Sequence, residues 1–318
     1  MNAQPPITIS ETFGLSPIAV RAKETWLAIR GGEQVPPTRF DRSSLGVFMP
    51  RLSVKTYLGW RRPDRRVPIY NLFNRTPTPL SDGWSVRKTQ IRDFRGGTLT
   101  YDSHNGTDFI VPIGTLVVAP APAKVIRVSS EFNRGGLKVF LDHGDGLITT
   151  SNHLARSLVR VGDVVARGQP IALSGYSGLD GLSTFPIGAP HIHFNVWLDG
   201  EYVDPFAVPG EASIWRDGNE PRPSEGLSAE RFEPTKWDPK GVSDAIDACT
   251  SAASRDEIAG FGDFDERAAA VLFHRNYYPT RFSARPPLAE GGHARTPRLT
   301  LPLSPDDYVG VAFDGLGG

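Results

Sequence analysis

The sequence predicts a mainly β protein, with an antiparallel β-sandwich or barrel-like core and α-containing extensions before and after it. From Gly97 onward, short apolar segments are broken by glycines, a texture typical of sandwiches and barrels. The pattern V-x-x-G-x-x-V occurs at residues 111–117 and again at 159–165, which predicts two similar hairpins that turn at their glycines. Apolar residues also alternate over residues 192–196, the period of a strand with one buried face.

The chain divides by texture into an N-terminal accessory region (1–96), the β core (97–209) and a C-terminal extension (210–318). The 35 basic and 35 acidic residues cancel, so the charge balance indicates neither nucleic acid nor an anionic membrane as a partner. No apolar run is long enough to span a bilayer. The lone Cys249 excludes an internal disulfide framework and a zinc site built from thiolates.

Three helices are predicted outside the core. Ser16 as N-cap and Pro17 as first helical residue begin the first one, which ends at the glycine pair 31–32 and packs one apolar face on its surroundings. In the C-terminal extension, one helix is expected from Ser243 to Ala253 and another from about residue 265 to 275. His274 and His293 lack ligand-like neighbours there, and we expect both at the surface.

A basic segment, residues 51–66, contains six arginine and lysine residues interleaved with Tyr57 and Trp60. Such a mixture can bind nucleic acid or another anionic polymer, but no nucleic-acid fold motif accompanies it. Pro63 and Pro68 are expected to break up any helix here. The segment is therefore interpreted as a solvated surface around a short strand, and no nucleic-acid partner is predicted.

Five of the seven histidines lie between residues 101 and 197, and their spacing points to a metal. On a strand, His191 and His193 share one face. His104 and Asp108 are four residues apart, which also suits a helix, but the intervening Asn-Gly favours a turn at the mouth of a strand. A single histidine is more often structural. Two histidines, a carboxylate and an open position for water are, however, the usual composition of a catalytic zinc site.

Three ordered motifs in this third of the chain carry a family resemblance. They are HNGTDF at residues 104–109, NHL at 152–154 followed by VGDVV and GQPI, and PHIHF at 190–194. Together they resemble the motifs of lysostaphin/LytM-type zinc metalloendopeptidases, which cut peptide bonds in bacterial peptidoglycan. The resemblance extends over about residues 97–209 and implies the duplicated hybrid motif fold of that family.

The resemblance also implies a role for five side chains in these motifs. His104, Asp108 and His193 correspond to the ligands of one Zn²⁺ ion. His153 and His191 correspond to the catalytic histidines, one shuttling a proton and the other stabilising negative charge, in an order that the sequence leaves open.

Two departures from the family pattern affect the surroundings of the site. Ser151 stands where the family often has tyrosine, which puts any help from that phenol in doubt. The segment from Leu179 to Pro190 is longer than the family's short turn, and its glycines predict a shaped loop that forms one wall of a substrate groove. His143 is expected to be structural, in a hairpin outside the zinc shell.

The predicted function is hydrolysis of peptide bonds in peptidoglycan stem or cross-bridge peptides. The resemblance places such a protein in the cell envelope or periplasm, or outside the cell. Residues 1–14 show no secretory signal, so a cytoplasmic location stays open. One alternative is a catalytically silent relative that acts as a binding or activator protein, although such relatives lack ligands and here all three positions are filled. Another is a zinc hydrolase of a peptide outside the cell wall.

Overall fold

A computed structural model describes residues 5–32, 35–76, 84–228 and 230–314. Nine of the described strands form one sheet, and two others form a small parallel pair. In chain order the strands are β1 (Arg66–Pro68), β2 (Thr107–Ile110), β3 (Leu116–Val118), β4 (Ala123–Glu131), β5 (Gly136–Asp142), β6 (Leu147–Ser157), β7 (Val164–Val165), β8 (Pro170–Ser174), β9 (His191–Leu198), β10 (Glu201–Tyr202) and β11 (Gly310–Ala312).

The large sheet is antiparallel throughout, which confirms the predicted fold class. Its main path runs β10-β9-β6-β5-β4-β7, with β2 added on β9 and β8 bridging β6 and β3. Strand β9, which carries His191 and His193, therefore lies between β2 and β6. Ile192 and Phe194 alternate with these histidines and point into the main hydrophobic core.

The two glycine repeats turn the chain as predicted, but they do not close hairpins. Gly114 and Gly162 have φ values of 87° and 92°, which L side chains rarely adopt. The strands on either side of each glycine pair elsewhere: β2 with β9, β3 with β8, and β7 with β4. The hairpin prediction was wrong because a local repeat reports a turn and buried valines, whereas strand partners are fixed by the whole sheet.

Most helices precede or follow the β core in the chain, and one short helix lies within it, between β8 and β9. They are α1 (Ile9–Phe13), α2 (Ile18–Arg30), α3 (Pro50–Tyr57), α4 (Leu179–Thr184), α5 (Pro239–Asp247), α6 (Ala252–Ala259) and α7 (Phe264–Tyr277), with 3₁₀ turns at Arg42–Val47 and Pro279–Arg281. Among the described residues, none of these helices has the length and apolar character that crossing a membrane requires.

Helix α2 differs from its prediction at its start and in its packing. Pro17 is the N-cap and contributes no side-chain bond, so Ser16 lies outside the helix, while Gly31 ends it as predicted. Ile18 and Trp26 are mainly exposed. The helix is anchored instead from its polar side, where the Arg21 guanidinium donates to the main-chain and side-chain oxygens of a β4 serine.

The predictions for the C-terminal helices are wrong about one helix boundary and about the burial of one histidine. The helix predicted from Ser243 to Ala253 is two helices, because Asp238 caps α5 early and the chain turns before Ser251 caps α6. Helix α7 covers the predicted residues 265–275. His274 is buried rather than at the surface, since every α7 residue from 268 to 277 is buried.

The basic segment is only partly the predicted solvated surface. A helix does form in this segment, because α3 (Pro50–Tyr57) ends before Pro63 and Pro68 and neither proline interrupts it. Arg62 is buried and ion-paired with Asp64 and Asp314. The expected short strand is β1, which pairs with β11 and so joins the N-terminal accessory region to the C-terminal extension.

Candidate metal centre

The structure brings His104, Asp108 and His193 together. Their ligand-type atoms lie within 4.8 Å of one another, and all three side chains are buried. Asp108 of β2 and His193 of β9 are directly opposite each other in the antiparallel ladder, so their side chains share a face. His104 lies just before β2, outside any helix, as predicted, but the turn there precedes the Asn-Gly pair and is closed by the His104 N–H, which donates to the Tyr101 carbonyl at 3.0 Å. The ligand set expected from the motifs therefore forms one compact cluster.

His104 presents an unprotonated nitrogen to the cluster. Its Nδ1 lies 2.6 Å from the Leu72 carbonyl oxygen, which can only accept, so in the neutral ring Nδ1 carries the hydrogen. Nε2 then carries a lone pair, and it lies 3.0 Å from Asp108 Oδ2. This nitrogen is buried and has no hydrogen-bond partner in the described part of the chain. Two acceptors face each other without a hydrogen between them, an arrangement that a bound cation resolves.

His193 is held in the complementary tautomer. Its Nδ1 lies 2.7 Å from Asp108 Oδ1, and its Nε2 lies 3.1 Å from Asn105 Oδ1. Asn195 Nδ2 is also 3.0 Å from Nε2, but it has acceptors for both of its hydrogens in the Asn105 carbonyl and Asn105 Oδ1, at 2.9 and 3.0 Å. The Nε2 hydrogen is thus donated to Asn105, and Nδ1 offers a lone pair. Such an outer contact fixes a ligating imidazole.

Asp108 is the anion of the cluster. Asn71 Nδ2 donates to its Oδ2 at 2.8 Å. Burial raises the pKa of Asp108, but attraction to the surrounding rings of His104, His191 and His193 in their protonated forms outweighs it and holds that pKa well below its usual range. Burial also lowers the pKa of His193, which keeps that ring neutral. One carboxylate and two imidazole nitrogens are the donors that zinc takes in catalytic sites, so the cluster fits this ion.

His153 and His191 lie beside the cluster without belonging to it. Their ring centroids are 4.8 Å apart. In each ring Nδ1 donates to a carbonyl, of Ser177 at 2.8 Å for His153 and of Ala189 at 2.7 Å for His191. Each ring, when neutral, therefore keeps Nε2 as a proton acceptor, and Nε2 of His191 lies 3.7 Å from Asp108 Oδ1. Burial lowers the pKa of His191 to about 3.

His153 has a backbone conformation that is uncommon for a residue other than glycine. Its φ is 59°, in the left-handed region, and its N–H donates to the Gly135 carbonyl at 2.8 Å. The pairing of β6 shifts register on both sides of it, against β5 and against β8. Such conformations persist only where the surrounding structure holds them in place, and they cluster at functional sites.

The supporting side chains were missed at the sequence level. Asp108 is held by Asn71, and His193 is contacted by Asn105 and Asn195. The sequence context of Asn105 predicts only a turn. Asn195 could have been found, since it is two residues beyond His193 on the same strand face. Asn71 could not, because nothing local connects it with Asp108. Tyr176 was not predicted to be near the site either, and its ring centroid lies 5.1 Å from that of His191.

The remaining sequence observations lie outside the cluster. Ser151 pairs with Phe194, a core residue, so its side chain shares the core face rather than the metal face. His143 donates from Nδ1 to the Pro122 carbonyl at 3.0 Å and accepts at Nε2 from a threonine, as a structural histidine does. His293 is partly exposed and pairs with an aspartate away from the site.

Residues 102–205 match the profile of Peptidase family M23. An uncharacterized metalloprotease of Haemophilus influenzae is 40% identical over 112 residues, which are 35% of this chain and 22% of that protein. Peptidoglycan DD-endopeptidase ShyA of Vibrio cholerae is 36% identical over 127 residues, 40% of this chain and 28% of that protein. Lysostaphin of Staphylococcus simulans is 32% identical over 136 residues, 41% and 26% respectively. The predicted resemblance is confirmed, and the chain spans only about a quarter of the length of these relatives.

Proposed function

We propose that this chain, in which residues 102–205 are an M23 peptidase domain, is a zinc-dependent metalloendopeptidase that cuts peptide bonds in peptidoglycan stem or cross-bridge peptides. The observation that carries the proposal is the meeting of two histidine lone pairs, His104 Nε2 and His193 Nδ1, at the anionic Asp108 carboxylate. The relative ShyA, described as a peptidoglycan DD-endopeptidase, supports the choice of substrate.

His104, Asp108 and His193 would hold the ion. When bound there, zinc supplies a Lewis acid that polarises the scissile carbonyl and lowers the pKa of a coordinated water toward ~7. In the neutral ring, Nε2 of His153 or His191 would accept a proton from the attacking water and, as N–H, would return it to the departing amine. The other imidazole, when protonated, donates a hydrogen bond to the negative charge that develops on the carbonyl oxygen.

Turnover on purified peptidoglycan, compared with turnover on small glycine-rich peptides, tests the proposed substrate. We expect the zinc-loaded protein to release peptide fragments from peptidoglycan and the metal-free protein to release none. Cleavage of small peptides alone would show a zinc hydrolase that acts outside the cell wall. Binding of peptidoglycan without cleavage would show a silent relative. The proposed substrate also places the protein where peptidoglycan lies, in the envelope or outside the cell.

The segment Leu179 to Pro190 begins as a helix, not as the predicted loop. Its first residues form α4, where the Ser183 and Thr184 hydroxyls bond the Asp180 carbonyl. Gly181 packs so closely on the Tyr176 carbonyl that a Cβ would lie 1.9 Å from its oxygen. The segment is thereby fixed to a tyrosine whose ring contacts both unligated histidines. We propose that it forms one wall of the substrate groove.

Exposed apolar side chains on this wall are expected to select the peptide. Leu182→Ala and Ile187→Ala remove side chains that are 47% and 41% exposed, so the fold should tolerate both changes. We expect the ratio of kcat/KM between two peptides to change by about tenfold, the lower range for lost methylene contacts in a pocket. Zinc content should stay the same.

Leu227→Ala is the matched control for the wall, because Leu227 is 73% exposed and lies outside the M23 segment. It should leave the ratio unchanged. If the two wall variants and this control gave the same ratio of kcat/KM values, the segment would not be a wall of the groove.

A further inference from the structure

We infer that Tyr277, on α7 and outside the M23 segment, is a positioning residue for His193. The inference rests on the proposed role of His193 as a zinc ligand. Its basis is an unbroken chain of hydrogen bonds that runs from the Tyr277 hydroxyl through Asn195 and Asn105 to His193 Nε2. All four side chains are buried, so water cannot replace the links freely.

The first part of the chain fixes the oxygen of the Asn195 amide. The Tyr277 hydroxyl has two acceptors within reach, Asn195 Oδ1 at 2.9 Å and Asn152 Oδ1 at 3.2 Å. Its one hydrogen goes to the nearer, Asn195 Oδ1, because Asn152 already meets the hydroxyl as a donor through Nδ2. Asn152 Nδ2 donates to the same oxygen at 2.8 Å and to the Tyr277 hydroxyl oxygen at 3.0 Å. Asn195 Oδ1 therefore has a donor for each of its lone pairs. Both donors hold the amide with its oxygen toward α7 and its nitrogen toward the metal cluster.

The second part orients the His193 ring. With the Asn195 nitrogen turned inward, its hydrogens go to the two oxygens of Asn105, and Asn105 Oδ1 in turn accepts from His193 Nε2. A reversed Asn195 amide would place its oxygen against both Asn105 oxygens. By opposing that reversal, the Tyr277 hydroxyl keeps Asn105 Oδ1 in place as the acceptor of His193 Nε2, and so holds the His193 ring with Nδ1 toward Asp108.

Tyr277 is built into α7 so that its hydroxyl has little freedom. Its ring packs on Phe273, with centroids 4.9 Å apart, and lies 5.5 Å from the Lys138 ammonium. Burial raises the pKa of Tyr277, so the hydroxyl keeps the hydrogen that it donates. Helix α7 packs on β4, and the C-terminal region thus contributes a polar atom to the support of a site on the β core.

The test compares Tyr277→Phe with Tyr278→Phe in the full chain. The Tyr278 hydroxyl bonds Asn133 Oδ1 at 3.1 Å and takes no part in the chain, so its loss controls for removing a buried phenol hydroxyl at the same helix end. Zinc affinity is measured by competition with a chelator, beside the melting temperature. We expect about tenfold weaker zinc binding for Tyr277→Phe, the lower end for outer contacts of a ligand, and no change for Tyr278→Phe.

A second comparison separates positioning from general support of the fold. In an Asn195→Ala background, Tyr277→Phe should weaken zinc binding no further, because the link through which it acts is already gone. Equal zinc affinity of the two tyrosine variants, or a full additional loss in the Asn195→Ala background, would overturn the inference. Failure of the unaltered protein to bind zinc would instead overturn the proposed function.

Discussion

His193→Ala is expected to lose zinc and catalytic activity together. The substitution removes Nδ1, which lies 2.7 Å from Asp108 Oδ1, and leaves one imidazole and one carboxylate at the cluster. Two protein ligands do not make a catalytic zinc site, which uses three. Zinc content and turnover on peptidoglycan, measured on one preparation, should both fall to background.

His293→Ala is the control for this loss of a histidine. His293 is partly exposed, pairs with Asp199 and lies away from the cluster, so its variant should keep both zinc and activity. A folded His193→Ala protein that still held one equivalent of zinc would contradict the assignment of His193 as a ligand.

His153→Ala is expected to keep zinc and to slow turnover by roughly 10²–10⁴-fold, the usual contribution of a positioned acid–base group or of one oxyanion donor. The ring contributes no atom to the metal cluster, and its Nδ1 is committed to the Ser177 carbonyl. Its Nε2 is the atom left for chemistry. KM should change less than kcat, because the lost interaction belongs mainly to the transition state.

His153→Asn distinguishes the loss of the imidazole from the backbone strain that alanine would add at this position. Position 153 has a φ of 59°, and asparagine is among the residues that tolerate this region best. If His153 only supports the fold, both variants should melt earlier and lose zinc and activity in proportion to the unfolded fraction. A folded, zinc-loaded His153 variant with near-normal turnover would contradict its catalytic role.

The parts of the site that the sequence predicts are those that depend on local spacing. A period of two on a strand places His191 and His193 on one face and Ile192 in the core, as observed. The Asn-Gly pair correctly argues against a helix here, and His104 lies before a strand that carries Asp108, although the turn itself is at residues 102–103. Each of these relations spans only a few residues, so backbone geometry alone enforces it.

The parts that the sequence does not predict join residues far apart in the chain. Asn71 reaches Asp108 across 37 positions, and Tyr277 reaches Asn195 across 82. No periodicity connects such pairs, because they meet only when the sheet and its covering helices pack. The burial of His274 was missed for the same reason, since a helix pattern does not show how many of its sides are covered.

Titration of the metal-free protein with zinc, followed by hydrolysis of purified peptidoglycan, tests the central claim most directly. The account predicts no turnover without metal, a linear rise on adding zinc and a plateau at one equivalent per chain, set by His104, Asp108 and His193. Protein purified without added zinc should already carry most of that equivalent. Less than about a tenth of an equivalent, a rough threshold for a site of this type, together with turnover that zinc does not restore, would contradict it.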